Sequence, residues 1–371
     1  MCKKHAFFTT KKHLNLVTVI EIYLADILYH VFGNLSTIFA ERKTAMDKKI
    51  VTGKTCLVTG GGGSIGSVLV RQLAALGAGK IVIADINENG AYDVKCDIGD
   101  TVRVEIASVR DCNRMESIFR EYRPSLVFHA AAHKHVPFME QNPEEAVKNN
   151  IRGTEITAEL AEKYAASHFV LISTDKAVEP ISIMGASKRI CEMLVYEKSL
   201  TSKATKFFTV RFGNVVNSNG SVIPLFRRQL EKGVLTVTDP KVTRYFMSVS
   251  EAVSLVINSL AAAKGGEIFV ADMGRSKSIL EIAERVIREG GREPYSDVEI
   301  KFTGLRQGDK LSEKLFYDFE QAEKTQTDKL FRVQGSSIEG LTEIIKELYS
   351  LVQNMDRQGI RKKIFEINRR F

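Results

Sequence analysis

The chain has 371 residues, 44% of them hydrophobic and 26% charged, the balance of a globular protein able to bury one large core or two smaller ones. Its net charge of +8 is scattered, with local excess near both ends, and it forms no basic stripe interleaved with aromatics. A nucleic-acid surface is therefore not indicated, whereas a polyanionic small substrate or an acidic membrane surface fits the balance. Five cysteines without C-x-x-C spacing give neither a disulfide framework nor a zinc site, and reduced thiols point to the cytoplasm.

Residues 1–46 form a first unit. Asn15 to Ala40 is apolar, but Glu21, Asp26 and His30 interrupt it, and a spanning helix needs about 20 predominantly apolar residues. No clean apolar run leads to a small-residue cleavage site, which argues against a secretory signal. The stretch is expected to be an amphipathic helix that packs on the domain or touches the inner face of a membrane. Translation from Met46 is the other reading.

From Lys54 the pattern is regular. Thr55 to Val58 reads as a strand and Ser64 to Leu76 as a helix, with glycines at 60, 63 and 66 between them. The first permits a tight turn, the second lets backbone approach a pyrophosphate, and the third allows close helix–strand packing, while the helix start offers N–H groups to the anion. Lys80 to Ala84 is the next strand, and Asp85 ends it 19 residues after Gly66. A carboxylate there accepts both ribose hydroxyls and repels a 2′-phosphate, which favours NAD over NADP. The following stretch, Asn87 to Thr101, contains Gly90 and Gly99 and reads as a shortened helix.

Val102 to Ile106 is the third strand, Cys112 to Tyr122 a helix and Leu126 to His129 the fourth strand. The fourth strand runs into Ala130-Ala131-Ala132, small residues that let a cofactor lie against backbone. His129, His133 and His135 have no nearby carboxylate or cysteine to complete a ligand set, so no metal is expected. The fifth strand, His168 to Ile172, breaks into Ser173, Thr174, Asp175 and Lys176, turns through Pro180 and enters a helix. Met184 and Lys188, four apart, share one face of that helix. Polar groups at the end of a buried strand stand where open α/β sheets bind ligands, and an acid beside a base suits proton transfer near an oxidisable carbon. Taken alone, the same pair also suits a solvated turn.

Phe207 to Phe212 completes a β-α alternation that predicts a Rossmann-type doubly wound parallel sheet in an α/β protein. Beyond Arg211 the alternation loosens. Residues 213–224 form a polar loop, and Arg244 and Arg306 each sit in a short motif. Two planar guanidiniums suit a diphosphate. The expected organisation is a Rossmann domain over 47–212, with 245–272 returning to it, and a smaller α/β substrate-binding unit over 213–244 and 273–345. Ser276 to Glu289 is a helix of that unit, and 346–371 is a basic C-terminal helix.

These motifs, with Asn149-Asn150-Ile151-Arg152-Gly153-Thr154 and Met184-Gly185-Ala186-Ser187-Lys188, resemble the extended short-chain dehydrogenase/reductases over residues 47–335. Within them Thr174-Asp175-Lys176 is similar to the UDP-N-acetylglucosamine 4,6-dehydratases of bacterial polysaccharide and glycan synthesis. The resemblance implies an NAD-dependent hydro-lyase that forms homo-oligomers. It assigns Gly60, Gly63, Ser64, Ile65, Gly66, Asp85, Ala130 and Ala131 to the cofactor, and Ser108 and Val109 to its adenine edge. Lys188 would position the nicotinamide ribose, and Asn150 would brace the catalytic strand. The UDP-sugar would meet Lys134, Asn214, Ser221, Arg244 and Arg306. At the sugar, Thr174 would hold the C4 oxygen, Asp175 would protonate the departing C6 hydroxyl and Lys176 would take the C5 proton.

The chain departs from the pattern in places. Met184 stands where most of the superfamily has Tyr, and the Met-bearing branch is associated with retention at C5, Thr174 and Asp175 sharing the missing base role. His133 replaces another Tyr, and Gln307 and Asp309 replace the Pro and Glu of Gly-Leu-Arg-Pro-Gly-Glu-Lys-Leu. A C4 epimerase would share the fold, the NAD site and the two arginines, but would have no use for Asp175 and Lys176. A catalytically silent NAD-binding regulator is the reading from another class.

Overall fold

The computed structural model describes residues 49–216, 218, 220–327 and 329–370. The expected helix within 1–46, with its membrane contact, lies outside the described residues. The first six strands are β1 (Thr55–Thr59), β2 (Lys80–Asp85), β3 (Val102–Ile106), β4 (Leu126–His129), β5 (His168–Thr174) and β6 (Lys206–Phe212). Most read as nearly unbroken apolar runs, as strands covered on both faces must.

The intervening helices are α1 (Ser64–Ala75), α2 (Glu88–Ile98), α3 (Cys112–Tyr122), α4 (Val136–Gln141), α5 (Gly153–Lys163) and α6 (Ile183–Thr201). Short polar side chains start several of them. Asn87 accepts from Gly90 N–H, Asp111 from Arg114 N–H and Ser182 from Gly185 N–H. After β6 come α7 (Val222–Leu230), β7 (Val234–Val237), α8 (Val249–Ala262), β8 (Glu267–Ala271), α9 (Ile279–Glu289) and β9 (Glu299–Phe302). The last elements are β10 (Glu323–Lys324), β11 (Leu330–Gln334), α10 (Leu341–Gln353) and α11 (Arg357–Asn368).

Nine strands form the main sheet in the order β10-β11-β8-β6-β5-β4-β1-β2-β3. The pairs from β8 to β3 are parallel, and β11 and β10 add on antiparallel at one edge. The doubly wound parallel sheet expected from the sequence is present. Because β1 pairs with β2 on one side and β4 on the other, the strand order reverses there, and the carboxyl ends of β1 and β4 open a crevice.

Apolar cores lie on the two faces of the sheet. One includes Leu57, Phe169, Met184, Ile190 and Phe207, and the other Val58, Leu69, Phe128, Phe208 and Phe269. A third, smaller core joins Phe226, Leu235, Val237, Ile282, Ile287 and Ile300, where β7 pairs in parallel with β9 under α7 and α9. This is the smaller α/β unit.

Three expectations change. Residues 87–101 hold an 11-residue helix, and Gly90 lets it press on the glycine loop, since a Cβ there would lie 2.5 Å from Gly62 O. Residues 323–334, placed by sequence in the substrate unit, extend the main sheet instead, because β11 pairs along all of β8. The C-terminal stretch is two helices broken at Met355, which takes a positive φ. Their apolar faces (Ile345, Leu348, Ile360, Ile364) join the core around α6, while Arg357 pairs with Glu144 and Arg361 with Glu140.

A buried ionic network fastens β5, β6 and α6 beside the crevice. Glu192 accepts from Ser173 Oγ (2.7 Å), from Arg189 (3.1 Å), and from Arg211 at both carboxylate oxygens (3.2 and 2.8 Å). Arg211 also donates to Glu320 and to the carbonyl of Leu315. Burial would push the Glu192 pKa up, but the two guanidiniums outweigh it and hold the carboxyl below its usual range.

Candidate active site

The crevice has a cradle at β1. Gly60 takes a left-handed φ of 70°, and a Cβ on it would lie 2.8 Å from Ala131 N, so the loop lies directly on the backbone after β4. Gly63 precedes α1, a helix start with no side-chain cap, and such a helix start suits an anion. Asp85 ends β2, takes Gly62 N–H (2.8 Å) and Asn87 N–H (2.9 Å), and so holds the loop while keeping acceptor capacity for hydroxyls. These residues fit a dinucleotide. Ser64, Ile65 and Ala130 line the adjoining cleft. Ser108 accepts from Arg110 N–H, and Val109 is buried against Gly153, so its side chain belongs to the core.

A Cβ on Gly66 would sit 2.0 Å from Gly60 O. Gly66→Ala is expected to force the loop open and weaken dinucleotide binding about ten-fold or more, read by calorimetric titration of the stripped protein.

Behind the cradle, His129 is fully enclosed between Thr59 Oγ1 (2.9 Å) and Thr154 Oγ1 (3.1 Å). Burial and the nearby Lys188 ammonium push its pKa down to about 3, so it is neutral near pH 7. A histidine whose folded pKa lies below its unfolded value stabilises nothing on acidification. The unfolded chain takes the proton first, so stability is whole above about pH 6.5 and is lost as pH falls toward 3, by about 1.4 kcal/mol per unit. Urea unfolding at several pH values should show that slope in the wild type and a shallower one in His129→Asn.

A cleft of about 280 Å³ opens where β5 and β6 end. Thr174, Lys176, Met184 and Lys188 all line it, which brings the sequence candidates together. Ser182 caps α6 and thereby fixes the face that carries Met184 and Lys188. Lys188 is nearly buried and makes no hydrogen bond or ion pair with any described residue, and burial draws its pKa below the usual lysine range. A cation so placed will seek hydroxyls or negative charge from a ligand.

Asp175 is not at the surface of the cleft. It is fully buried, and Thr174 Oγ1 and Lys176 Nζ, each 2.9 Å away, both donate to its Oδ1. Its Oδ2 accepts no hydrogen bond from any described residue and lies against Gly213, where a Cβ would come within 3.0 Å of it. Lys176, 21% exposed, also donates to Asn214 Oδ1 at 3.1 Å. Burial pulls the Lys176 pKa down, but Asp175 and a second carboxylate, Glu313, outweigh it and hold the amine above its usual range. The resting state is an ion pair.

Lys134, Asn214 and Ser221 line the same cleft, and the Ser221 hydroxyl is buried with no hydrogen-bond partner among the described residues. Asn150 does not brace β5. From a π-helical turn (Ala146–Arg152) it takes His133 N–H, and it donates to His133 O and Ser187 Oγ, which ties the loop after β4 to α6. A second cleft of about 470 Å³ meets the first at His135, Asn214 and Gly220 and is lined by Arg244 and Arg306. Arg306 is exposed and pairs with Asp309. Arg244 already donates to Thr243 O, Lys310 O and Leu311 O, so it also ties down the segment that crosses the site. Sequence reasoning missed Glu313, which no motif spacing connects to Lys176.

By fold and site the chain falls in the extended short-chain dehydrogenase/reductase class. More narrowly, it belongs to the polysaccharide biosynthesis protein family, whose pattern it matches over residues 56–335. It is 45% identical over 299 residues to the capsular polysaccharide biosynthesis protein CapD of Staphylococcus aureus, an alignment that covers 79% of this chain and 50% of that protein. The chain thus spans about half the length of that relative. It is 32% identical over 266 residues to a Campylobacter jejuni protein named UDP-N-acetylglucosamine 4,6-dehydratase (inverting), covering 70% and 76% of the two chains. Among solved structures it resembles Pen from Bacillus thuringiensis with a TM-score of 0.72 and 32% identity, covering 76% of this chain and 90% of that one.

Proposed function

We propose that the chain is an NAD-dependent nucleotide-sugar 4,6-dehydratase that converts UDP-N-acetylglucosamine to a UDP-4-keto-6-deoxy sugar with retention at C5, for polysaccharide synthesis. The observation that carries this reading is the ion pair at the end of β5, where Lys176 faces the cleft and Asp175 stands 2.9 Å behind it. A C4 epimerase has no second carbon at which to use such a pair. Bound NAD supplies the removal of hydride from C4 and its return at C6. Lys188, at the cleft wall, orients the ribose of that cofactor. The two arginines of the outer cleft take the diphosphate, with Arg306 the freer of the two.

The pair works as a unit that holds one proton. At rest the proton is on Lys176. Transfer along the 2.9 Å contact moves it to Asp175 and leaves a neutral amine to accept the C5 proton. The carboxyl proton then passes by way of Thr174 Oγ1, 2.9 Å from Asp175, to the departing C6 oxygen, and water leaves. When hydride reaches C6, Lys176 returns a proton to C5 and is recharged from solvent, so the pair ends as it began. Met184 cannot accept a proton, so Thr174 beside C4 relays the C4 hydroxyl proton outward to solvent.

The test is mass spectrometry, after chromatography that separates C4 epimers, of UDP-N-acetylglucosamine incubated with the purified protein. A product lighter by one water, with no net NADH absorbance, is expected. An isomer of unchanged mass would make the protein an epimerase, and an unaltered sugar with NAD still bound would favour the silent regulator.

A further inference from the structure

Lys176 has a second carboxylate beside it. Glu313 Oε1 lies 3.6 Å from Lys176 Nζ and 3.9 Å from Arg244 Nε, and Oε2 lies 3.4 Å from Lys310 Nζ. The Glu313 side chain is 3% exposed, and its Oε2 accepts no hydrogen bond from any described residue. A carboxylate buried without donors is costly unless charge faces it, and here three cations do, from three separate stretches of chain. The fold does not need Glu313 to hold its segment. That segment is fastened by Lys310 Nζ to Val178 O (2.7 Å), by Tyr317 Oη to Ala177 O (2.9 Å) and by Arg244 to the carbonyls of Lys310 and Leu311.

We propose that Glu313 is a positioning residue for the Asp175–Lys176 pair, fixing Lys176 Nζ between two carboxylates and setting where the shared proton rests. The inference builds on the dehydratase reading. The groups that face Lys176 are Asp175 from its own turn, Asn214 after β6, Arg244 from residues 243–244, and Glu313 with Lys310 behind it. Arg244 opposes the ammonium and the two carboxylates favour it, in agreement with the raised pKa of Lys176. Without Glu313, the ammonium keeps Asp175 but faces Arg244 uncompensated, so it loses its proton more readily.

The direct test needs no substrate. The full-length wild type and Glu313→Gln are labelled at Lys176 with trace acetic anhydride at about pH 9 and the modified peptide is quantified by mass spectrometry. Removal of one close carboxylate is expected to speed labelling about ten-fold, a downward shift of about one pH unit. Unchanged labelling overturns the proposal. In turnover, the basic limb of the kcat profile should move down by the same amount in Glu313→Gln, while a fallen kcat with an unmoved profile marks a structural role and overturns it. Should Glu313→Gln not fold, Glu313→Asp decides, since it keeps the charge but withdraws it by one methylene. Faster labelling in it supports the proposal and equal labelling overturns it. Wild type that labels as expected but leaves UDP-N-acetylglucosamine intact would count against the dehydratase alone.

Discussion

Lys176→Met is expected to cut kcat by about 10²–10⁴-fold while leaving NAD and UDP-sugar affinity nearly unchanged. Lys176 is the member of the pair that lines the cleft, and methionine keeps the length of the side chain while removing its exchangeable proton. Under the proposed function the diphosphate and the dinucleotide would meet Arg306, Asp85 and the glycine loop instead, so ground-state binding should survive. Product formation gives kcat, and calorimetric titration gives the two affinities. A variant with full kcat would remove Lys176 from the chemistry. Loss of both affinities would instead show that the substitution disturbed the loop around Asn214, which Lys176 holds at 3.1 Å.

The largest stability effect is expected from Glu192→Ala. The substitution leaves the guanidiniums of Arg189 and Arg211 buried without their shared carboxylate, which costs about 3–5 kcal/mol when a buried pair is broken from one side. Glu320 still faces Arg211, so the loss should fall at the lower end for that arginine. The effect reaches the site, because Ser173 donates to Glu192 one residue before Thr174. Urea unfolding measures the first consequence. Glu192→Gln keeps an acceptor for Ser173 and should lose less, and equal stability of all three proteins would contradict the network's role.

What the sequence made legible follows its periodicities. The apolar runs of β1, β2, β4 and β6, the glycine spacing at 60, 63 and 66, and the acid at 85 are local patterns, and each lies where it was expected. The convergence of Thr174, Lys176, Met184 and Lys188 was legible for the same reason, because one strand end and one helical face carry them all. Glu313 was not, since it meets Lys176 across 137 positions of chain with no motif between them. The same holds for Arg211 with Glu320 and for Arg361 with Glu140, which tertiary packing alone brings together. The burial of Asp175 was also hidden. Sequence places it between two cleft residues, but the 3-10 turn over Asp175–Ala177 rotates it inward while its neighbours face out. The edge strands at 323–334 were misplaced because a hydrophobic pattern gives a strand's existence and not its partner.

Under the proposed function the Asp175–Lys176 pair moves a proton at C5 while a hydroxyl leaves C6. Proton NMR of UDP-N-acetylglucosamine turned over in deuterated water reads both events at once. The expected product is a 4-keto-6-deoxy sugar that carries solvent deuterium at C5 in the retained configuration. Deuterium at C5 with the inverted configuration would contradict the part assigned to Met184, and conversion to a C4 epimer with no deuterium at C5 would contradict the account as a whole.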